Sequence, residues 1–166
     1  MASQKILDEM FMAMAKSCTL ASKAVRKKVG CIVVKNGQVI SNGFNGTPSG
    51  FDNNCEDELS TYDERDTYYE KDEWIYNHLG QEYTRLKTKP EVLHAESNAL
   101  MKLAQSTNSS TGSTMYLTCS PCFDCAKLII QAGVERVVYE ESYRKLDGLE
   151  LLQRANIQID KFHDQR

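Results

Sequence analysis

The stretch Thr114-Met115-Tyr116-Leu117-Thr118-Cys119-Ser120-Pro121-Cys122-Phe123-Asp124-Cys125, continuing as AKLIIQAGVERVVY to Tyr139, carries the signal from which the fold is read. Thr114–Thr118 is rich in β-compatible residues and reads as a strand. Cys122–Ala132 has helical spacing and is stopped by Gly133, a residue suited to the left-handed position after a helix. Val134–Tyr139 reads as a second strand. Strand, helix and strand at this spacing form a βαβ unit, so the two strands should be parallel.

Outward from this unit the alternation continues. Ser106–Ser113 is a polar loop. His94–Ala104 reads as a helix with Ala95, Ala99, Leu100 and Leu103 facing inward. Val29–Lys35 and Gln38–Phe44 flank Asn36-Gly37, the strongest short signal for a tight antiparallel hairpin. Ile6, Leu7, Met10, Phe11, Met14, Ala15 and Cys18 recur at helical spacing and mark an amphipathic first helix. Leu146–Ala155 is a last helix and Ile157–Phe162 a short final strand. The order α-β-β-(insert)-α-β-α-β-α-β gives an α/β fold: three α/β/α layers around a central, mixed, five-stranded sheet. We expect a single domain over 1–166 with an insertion at about 51–90.

That insertion has a different texture. Between Asp52 and Glu73 stand ten acidic residues and two basic ones, Arg65 and Lys71. Tyr62, Tyr68, Tyr69, Trp74, Tyr76 and Tyr83 are interleaved. The segment is expected to be partly helical and laid on the outside of the domain. Acidic residues exceed basic ones, for a formal net charge of −3, which argues against a polymeric nucleic acid as partner. A small phosphorylated ligand needs only a few local cations, and Lys23–Lys28 can supply them. Charges at Lys5, Asp8, Glu9 and Lys16 interrupt the N-terminal region, so no signal peptide is expected, and no apolar run reaches the length of a membrane span. A cytoplasmic location follows as an expectation. There the six cysteines are reduced, and metal binding, catalysis or packing become their roles.

Two short motifs hold the chemistry. In Ser120-Pro121-Cys122-Phe123-Asp124-Cys125, Pro121 suits the first helical position and Ser120 the cap before it. Cys122 and Cys125 then share one face of the first turn, where the positive helix end favours thiolates. Cys-x-x-Cys is a zinc spacing, and His94 can supply a third ligand. Three protein ligands with one open position make a catalytic rather than a structural zinc. Glu96 of His94-Ala95-Glu96 can move a proton between water at that position and a substrate. The pairing of His-x-Glu with Pro-Cys-x-x-Cys is the signature of zinc nucleobase deaminases.

From about Lys23 to Tyr139 the chain resembles the cytidine deaminase superfamily and, within it, the deoxycytidylate (dCMP) deaminases. Three segments carry the resemblance. His94-Ala95-Glu96-Ser97-Asn98-Ala99 is similar to the family's HAE-x-NA. Met115–Thr118 followed by Ser120–Lys127 is similar to its strand and Cys-x-x-Cys helix. Gly43-Phe44-Asn45-Gly46-Thr47-Pro48-Ser49-Gly50 is similar to its GYNG-x-P-x-G, with Phe44 in place of Tyr. The resemblance implies hydrolytic deamination of dCMP to dUMP and ammonia, supplying dUMP for thymidylate synthesis. Zinc would sit on His94, Cys122 and Cys125, with Glu96 as the proton carrier. Asn45 would hydrogen-bond the deoxyribose, the backbone near Ser120 would orient the amino group, and Arg26 or Lys28 would meet the 5′-phosphate. The resemblance further implies dCTP as activator and dTTP as inhibitor, bound with Mg²⁺ at a pocket lined by Gly43, Phe44, Gly46, Pro48, Gly50 and Phe51. It also implies a homohexamer, to which the Tyr-rich insert could contribute. Tyr143 and Arg144 follow the second strand of the βαβ unit, at the edge where open α/β sheets bind ligands, and are further substrate candidates.

Some members of the family carry a second, structural zinc in the insert. Cys55 and His78 could serve, but no clear third and fourth ligand accompanies them, so one zinc is expected. Cys18, Cys31 and Cys119 read as core residues. The loop Ser106–Ser113 has no basic residue to meet an effector phosphate, so regulation could differ in detail. Alternative readings are a deaminase of free cytidine, a deaminase of adenosine in RNA, and a non-catalytic zinc module. The acidic chain disfavours an RNA editor, a free-cytidine enzyme has no use for the Gly43–Gly50 turn, and a structural module leaves Glu96 without a role.

Overall fold

In the computed structural model, residues 3–59, 74–76 and 83–163 are described. Helix α1 (Gln4–Cys18) begins at Ser3, whose hydroxyl accepts from the Ile6 N–H at 3.4 Å. Strands β1 (Gly30–Lys35) and β2 (Gln38–Phe44) form the expected hairpin, with Asn36 and Gly37 at φ of 51° and 74°. Two consecutive left-handed residues match the right-handed twist of the flanking strands, which is why Asn-Gly is the sequence that turns here.

The insertion contributes β3 (Glu56–Leu59), β4 (Trp74–Tyr76) and β5 (Tyr83–Thr88). These pair in a separate antiparallel sheet of order β3-β5-β4. Where it is described, the insertion is therefore extended rather than helical. Its acidic strand pairs with a strand that carries cations: Asp57 stands opposite Lys87, and opposite charges directly across an antiparallel pair favour that register. Tyr62, Tyr68, Tyr69 and His78 lie outside the described residues, as do the side chains of Trp74, Tyr76 and Tyr83.

Then come α2 (Ala95–Ala104), β6 (Thr114–Cys119), α3 (Phe123–Gln131), β7 (Arg136–Glu141), α4 (Asp147–Arg154) and β8 (Gln158–Lys161). The main sheet has five strands in the order β2-β1-β6-β7-β8. β1 is antiparallel to β2 and β6, whereas β6, β7 and β8 are parallel, so the sheet is mixed as expected. Gly133, at φ 72°, ends α3.

The two faces of the sheet are sorted by the period of two. Cys31, Val33, Met115, Leu117, Val137 and Tyr139 point to the core shared with α2, α3 and α4. Ile32, Val34, Tyr116 and Val138 point to the opposite core, against Phe11, Met12 and Ala15 of α1. Under α1 lies a polar anchor: Arg136 bonds both carboxylate oxygens of Asp8 at 2.8 and 2.7 Å and Asp160 at 2.7 Å, while the Tyr116 hydroxyl donates to Asp8 at 2.6 Å. Among the described residues, no helix is long and apolar enough to cross a membrane.

Two glycines set distances between layers. A Cβ on Gly43 would run into the carbonyl oxygen of Ala95, and one on Gly148 would run into that of Pro121. The first lets β2 lie close under α2. The second lets α4 press on the segment leading into α3.

Candidate active site

The parallel strand β6 ends at Cys119, and the chain then passes through Ser120 and Pro121 before α3. Ser120 does not cap that helix. Its hydroxyl accepts from the Tyr143 N–H at 2.7 Å and its own N–H donates to Glu141 at 2.8 Å, so it ties together the ends of β6 and β7. Pro121 is likewise outside the helix. The N-cap is Cys122, at φ −71° and ψ 171°, which places Cys125 three residues on, within the first turn. His94 is in turn the N-cap of α2, rather than its first helical residue, at φ −74° and ψ 157°. Two helix starts thus converge, and each presents a ligating side chain where its unpaired N–H groups create positive potential.

His94 Nδ1 is 3.5 Å from Cys122 Sγ and 3.4 Å from Cys125 Sγ, and the three ligand atoms lie within 4.8 Å of one another. Zinc–thiolate and zinc–imidazole bonds of about 2.3 and 2.05 Å at a tetrahedral angle separate S and N by about 3.6 Å. The donor set and its spacing therefore fit one zinc ion. Among the described residues this is the sole His/Cys/Asp/Glu cluster of that kind, and Cys55 belongs to none. Cys122 is held down to about 4 by the hydrogen bond from Cys125 and then by His94, whereas the Cys125 thiol is pushed up by the same bond and by burial. His94 is raised, chiefly by its bond to Cys122.

Glu96, two residues into α2, is 4% exposed. Burial pushes its carboxyl up to about 7, against the opposing pull of its own backbone N–H and of His94. A carboxyl group near neutrality at a metal-ligand cluster can both take and give a proton.

His94, Glu96 and Cys122 line a cavity of about 650 Å³, within the usual range for a small-ligand site. Arg26, Asn45, Ser120, Tyr143 and Arg144 reach it, and Lys28 does not. Lys27, Glu56, Lys87, Thr88 and Val92 also line it and carried no motif that would have singled them out. Lys27 lay inside the basic segment, the one signal available for it. Its ammonium pairs with Glu141 at 2.8 Å. Cys119, read as core, is buried in the cavity wall.

Asn45 is largely committed to the protein. Its carbonyl oxygen accepts from the Val29 N–H at 2.8 Å and the Ser22 hydroxyl at 2.9 Å, and its amide donates to the Lys27 carbonyl at 2.8 Å. It pins the basic loop at three points, which leaves one of its four hydrogen-bonding valences for a ligand.

None of Gly43, Phe44, Gly46, Pro48, Gly50 and Phe51 lines this cavity. Gly43 is buried against α2 and faces no opening, because close helix–strand packing requires the absent side chain. The Lys102 ammonium lies 5.3 Å over the Phe44 ring. Gly46 exchanges both backbone hydrogen bonds with Leu93, immediately before His94. Gly50, at φ 92°, completes a surface turn in which the Phe51 N–H donates to Pro48, and Phe51 is exposed.

Residues 5–141 match the zinc-binding region of cytidine and deoxycytidylate deaminases. Deoxycytidylate deaminase of Enterobacteria phage T4 is 34% identical over 151 residues, covering 75% of this chain and 72% of that protein. The human deoxycytidylate deaminase is 36% identical over 132 residues, covering 79% and 62%. In the crystal structure of dCMP deaminase from cyanophage S-TIM5 in complex with dCMP and dUMP, the matching chain is 39% identical. There the match covers 98% of this chain and 100% of the other at a TM-score of 0.76.

Proposed function

The chain belongs to the cytidine and deoxycytidylate deaminase family, and within it we propose that this protein deaminates dCMP to dUMP. The observation that carries the proposal is the convergence of His94, Cys122 and Cys125 beside buried Glu96, at the wall of a cavity that also presents Arg26, Lys27, Lys87 and Arg144. The cations match a phosphorylated substrate, and the chain's overall acidity disfavours a polymeric one.

His94, Cys122 and Cys125 would hold the zinc. Bound there, zinc supplies an acidified water as nucleophile. Everything else is the work of the chain's own groups. The cavity wall at Ser120 and Tyr143 orients the cytosine amino group. Glu96 takes a proton from the water that attacks C4 and gives it to N3. Glu96 then transfers the second proton to the amine, and the C4–N bond breaks to leave ammonia and dUMP. Arg26 faces the 5′-phosphate. The one valence of Asn45 that the fold leaves over is available to the sugar. Lys28, exposed and away from the cavity, is not required by this arrangement.

Activation by dCTP and inhibition by dTTP with Mg²⁺, a homohexamer, a cytoplasmic role in dUMP supply and a single zinc per chain are parts of the same proposal. The regulatory part is supported by the resemblance of Gly43–Gly50 to the family's turn and by the backbone link of Gly46 to Leu93, beside His94.

The test is the ultraviolet absorbance change of dCMP with purified protein, run alone and with each triphosphate, alongside Glu96→Gln. We expect turnover of dCMP, faster with dCTP and slower with dTTP, and a loss of about 10²–10⁴-fold in the variant with zinc retained. Zinc-loaded protein that leaves dCMP intact would overturn the substrate assignment, and an unimpaired variant would overturn the role of Glu96.

A further inference from the structure

The insertion meets the cavity through one buried acid. Glu56 of β3 is 5% exposed and lines the cavity. Its Oε1 accepts from the backbone N–H groups of Val25 at 3.1 Å and Arg26 at 3.3 Å. A buried carboxylate is costly unless hydrogen bonds satisfy it, and these partners belong to the basic loop, some thirty residues away in sequence. Directly across the small sheet from Glu56 stands Thr88, whose hydroxyl accepts from the Arg26 guanidinium at 3.1 Å. One pair of facing residues on β3 and β5 therefore holds both the main chain and the side chain of Arg26. Beneath the loop, Ala24 packs on Cys55 and Val92. Asn45 fastens the loop from the other side, at Ser22, Lys27 and Val29.

Resting on the nucleotide reading of the cavity, we propose that Glu56 is a positioning residue that sets the basic loop in the shape that receives the substrate phosphate. The insertion is then part of the substrate site, because its small sheet fixes where the charge of Arg26 is presented. Glu56 acts through the two N–H groups it accepts from, and its oxygen needs to be an acceptor there rather than an anion. Its contribution belongs to substrate binding and not to the chemical step, since neither Glu96 nor the His94–Cys122–Cys125 cluster depends on it.

The experiment compares Glu56→Ala, Glu56→Gln and Glu56→Asp in full-length, zinc-loaded protein. It reads KM and kcat for dCMP, the calorimetric Kd for dUMP, and zinc content. In Glu56→Ala we expect KM and the dUMP Kd to rise about tenfold or more, with kcat within about threefold and zinc unchanged. Glu56→Gln should recover most of the affinity, because its amide oxygen can accept the same two bonds. Unchanged KM in Glu56→Ala overturns the inference, as does a loss confined to kcat, or a Glu56→Gln as impaired as the alanine. If the alanine variant does not fold, Glu56→Asp decides: its carboxylate is one methylene shorter, so a raised KM supports the role and an unchanged KM overturns it. Failure of the unsubstituted protein to consume dCMP is a separate result, seen before any variant is compared, and it removes the functional reading together with this one.

Discussion

Gly148 of α4 lies so close to Pro121 that any Cβ at 148 would overlap the Pro121 carbonyl and stand only 2.9 Å from that of Cys122. A helix far along the chain thus braces the segment that presents Cys122 and Cys125. Gly148→Ala should push that segment outward. We expect a loss of about 1–3 kcal/mol of stability, as for other overpacked positions, with faster loss of zinc to a chelator. Thermal unfolding and timed zinc release check this, and an alanine variant that keeps zinc as the parent does would show that the segment yields without moving its cysteines.

Removal of zinc should abolish turnover while the two sheets persist, because both hydrophobic cores are built without the metal ligands, Cys125 alone being buried among them. Cys125→Ser should show the same pattern. Activity, zinc content and far-ultraviolet circular dichroism measured together decide it, and collapse of secondary structure on chelation would mean that the metal is part of the fold.

Asn45→Ala would release the bonds with the Val29 N–H and the Lys27 carbonyl that hold the basic loop, while the Ser22 hydroxyl keeps the backbone carbonyl at position 45 as acceptor. At about 1 kcal/mol for each bond, a destabilisation of about 2 kcal/mol is expected, together with a higher KM for dCMP. Chemical denaturation and steady-state kinetics measure the two effects. A higher KM at full stability would mean that Asn45 acts on the substrate alone.

The Asp8–Arg136 anchor predicts a dependence on acid. Burial by itself would raise the Asp8 carboxyl, but the bonds from Arg136, Tyr116 and Gln4 outweigh it and hold the group below its ordinary value of 3.8. A carboxyl lowered by folding stabilises the fold above its unfolded value and loses that contribution as pH falls through the folded one. Stability should therefore decline below about pH 4, and Asp8→Asn should flatten this part of the profile. The variant should cost about 1–3 kcal/mol at neutral pH, because the largely buried Arg136 loses the charge of one of its two carboxylate partners and keeps only that of Asp160. Unfolding midpoints across pH 2.5–7 for both proteins check the slope, and parallel curves would contradict it.

Much of this protein was legible in the linear chain, because the signals involved are local. Asn36-Gly37 names its own turn, Gly133 its own helix end, and the alternation in β6 and β7 its two buried faces. His94-Ala95-Glu96 and Cys122-x-x-Cys125 likewise carry their chemistry in their spacing. Only the tertiary structure decided which groups surround that chemistry. Glu56, Lys87 and Thr88 stand in a charged, motif-free insertion, and nothing local shows that its strands fold back over the basic loop. Ser120 has the side chain of a helix cap, yet the N–H of Tyr143, supplied by a neighbouring strand end, claimed its hydroxyl. Gly43, in a motif that resembles a ligand turn, is glycine because α2 passes directly over it. Spacing along a chain reports what neighbours in sequence can do together. Hydrogen-bond partners, close packing and the walls of a cavity come from residues far apart in sequence, and only the folded chain brings them within reach.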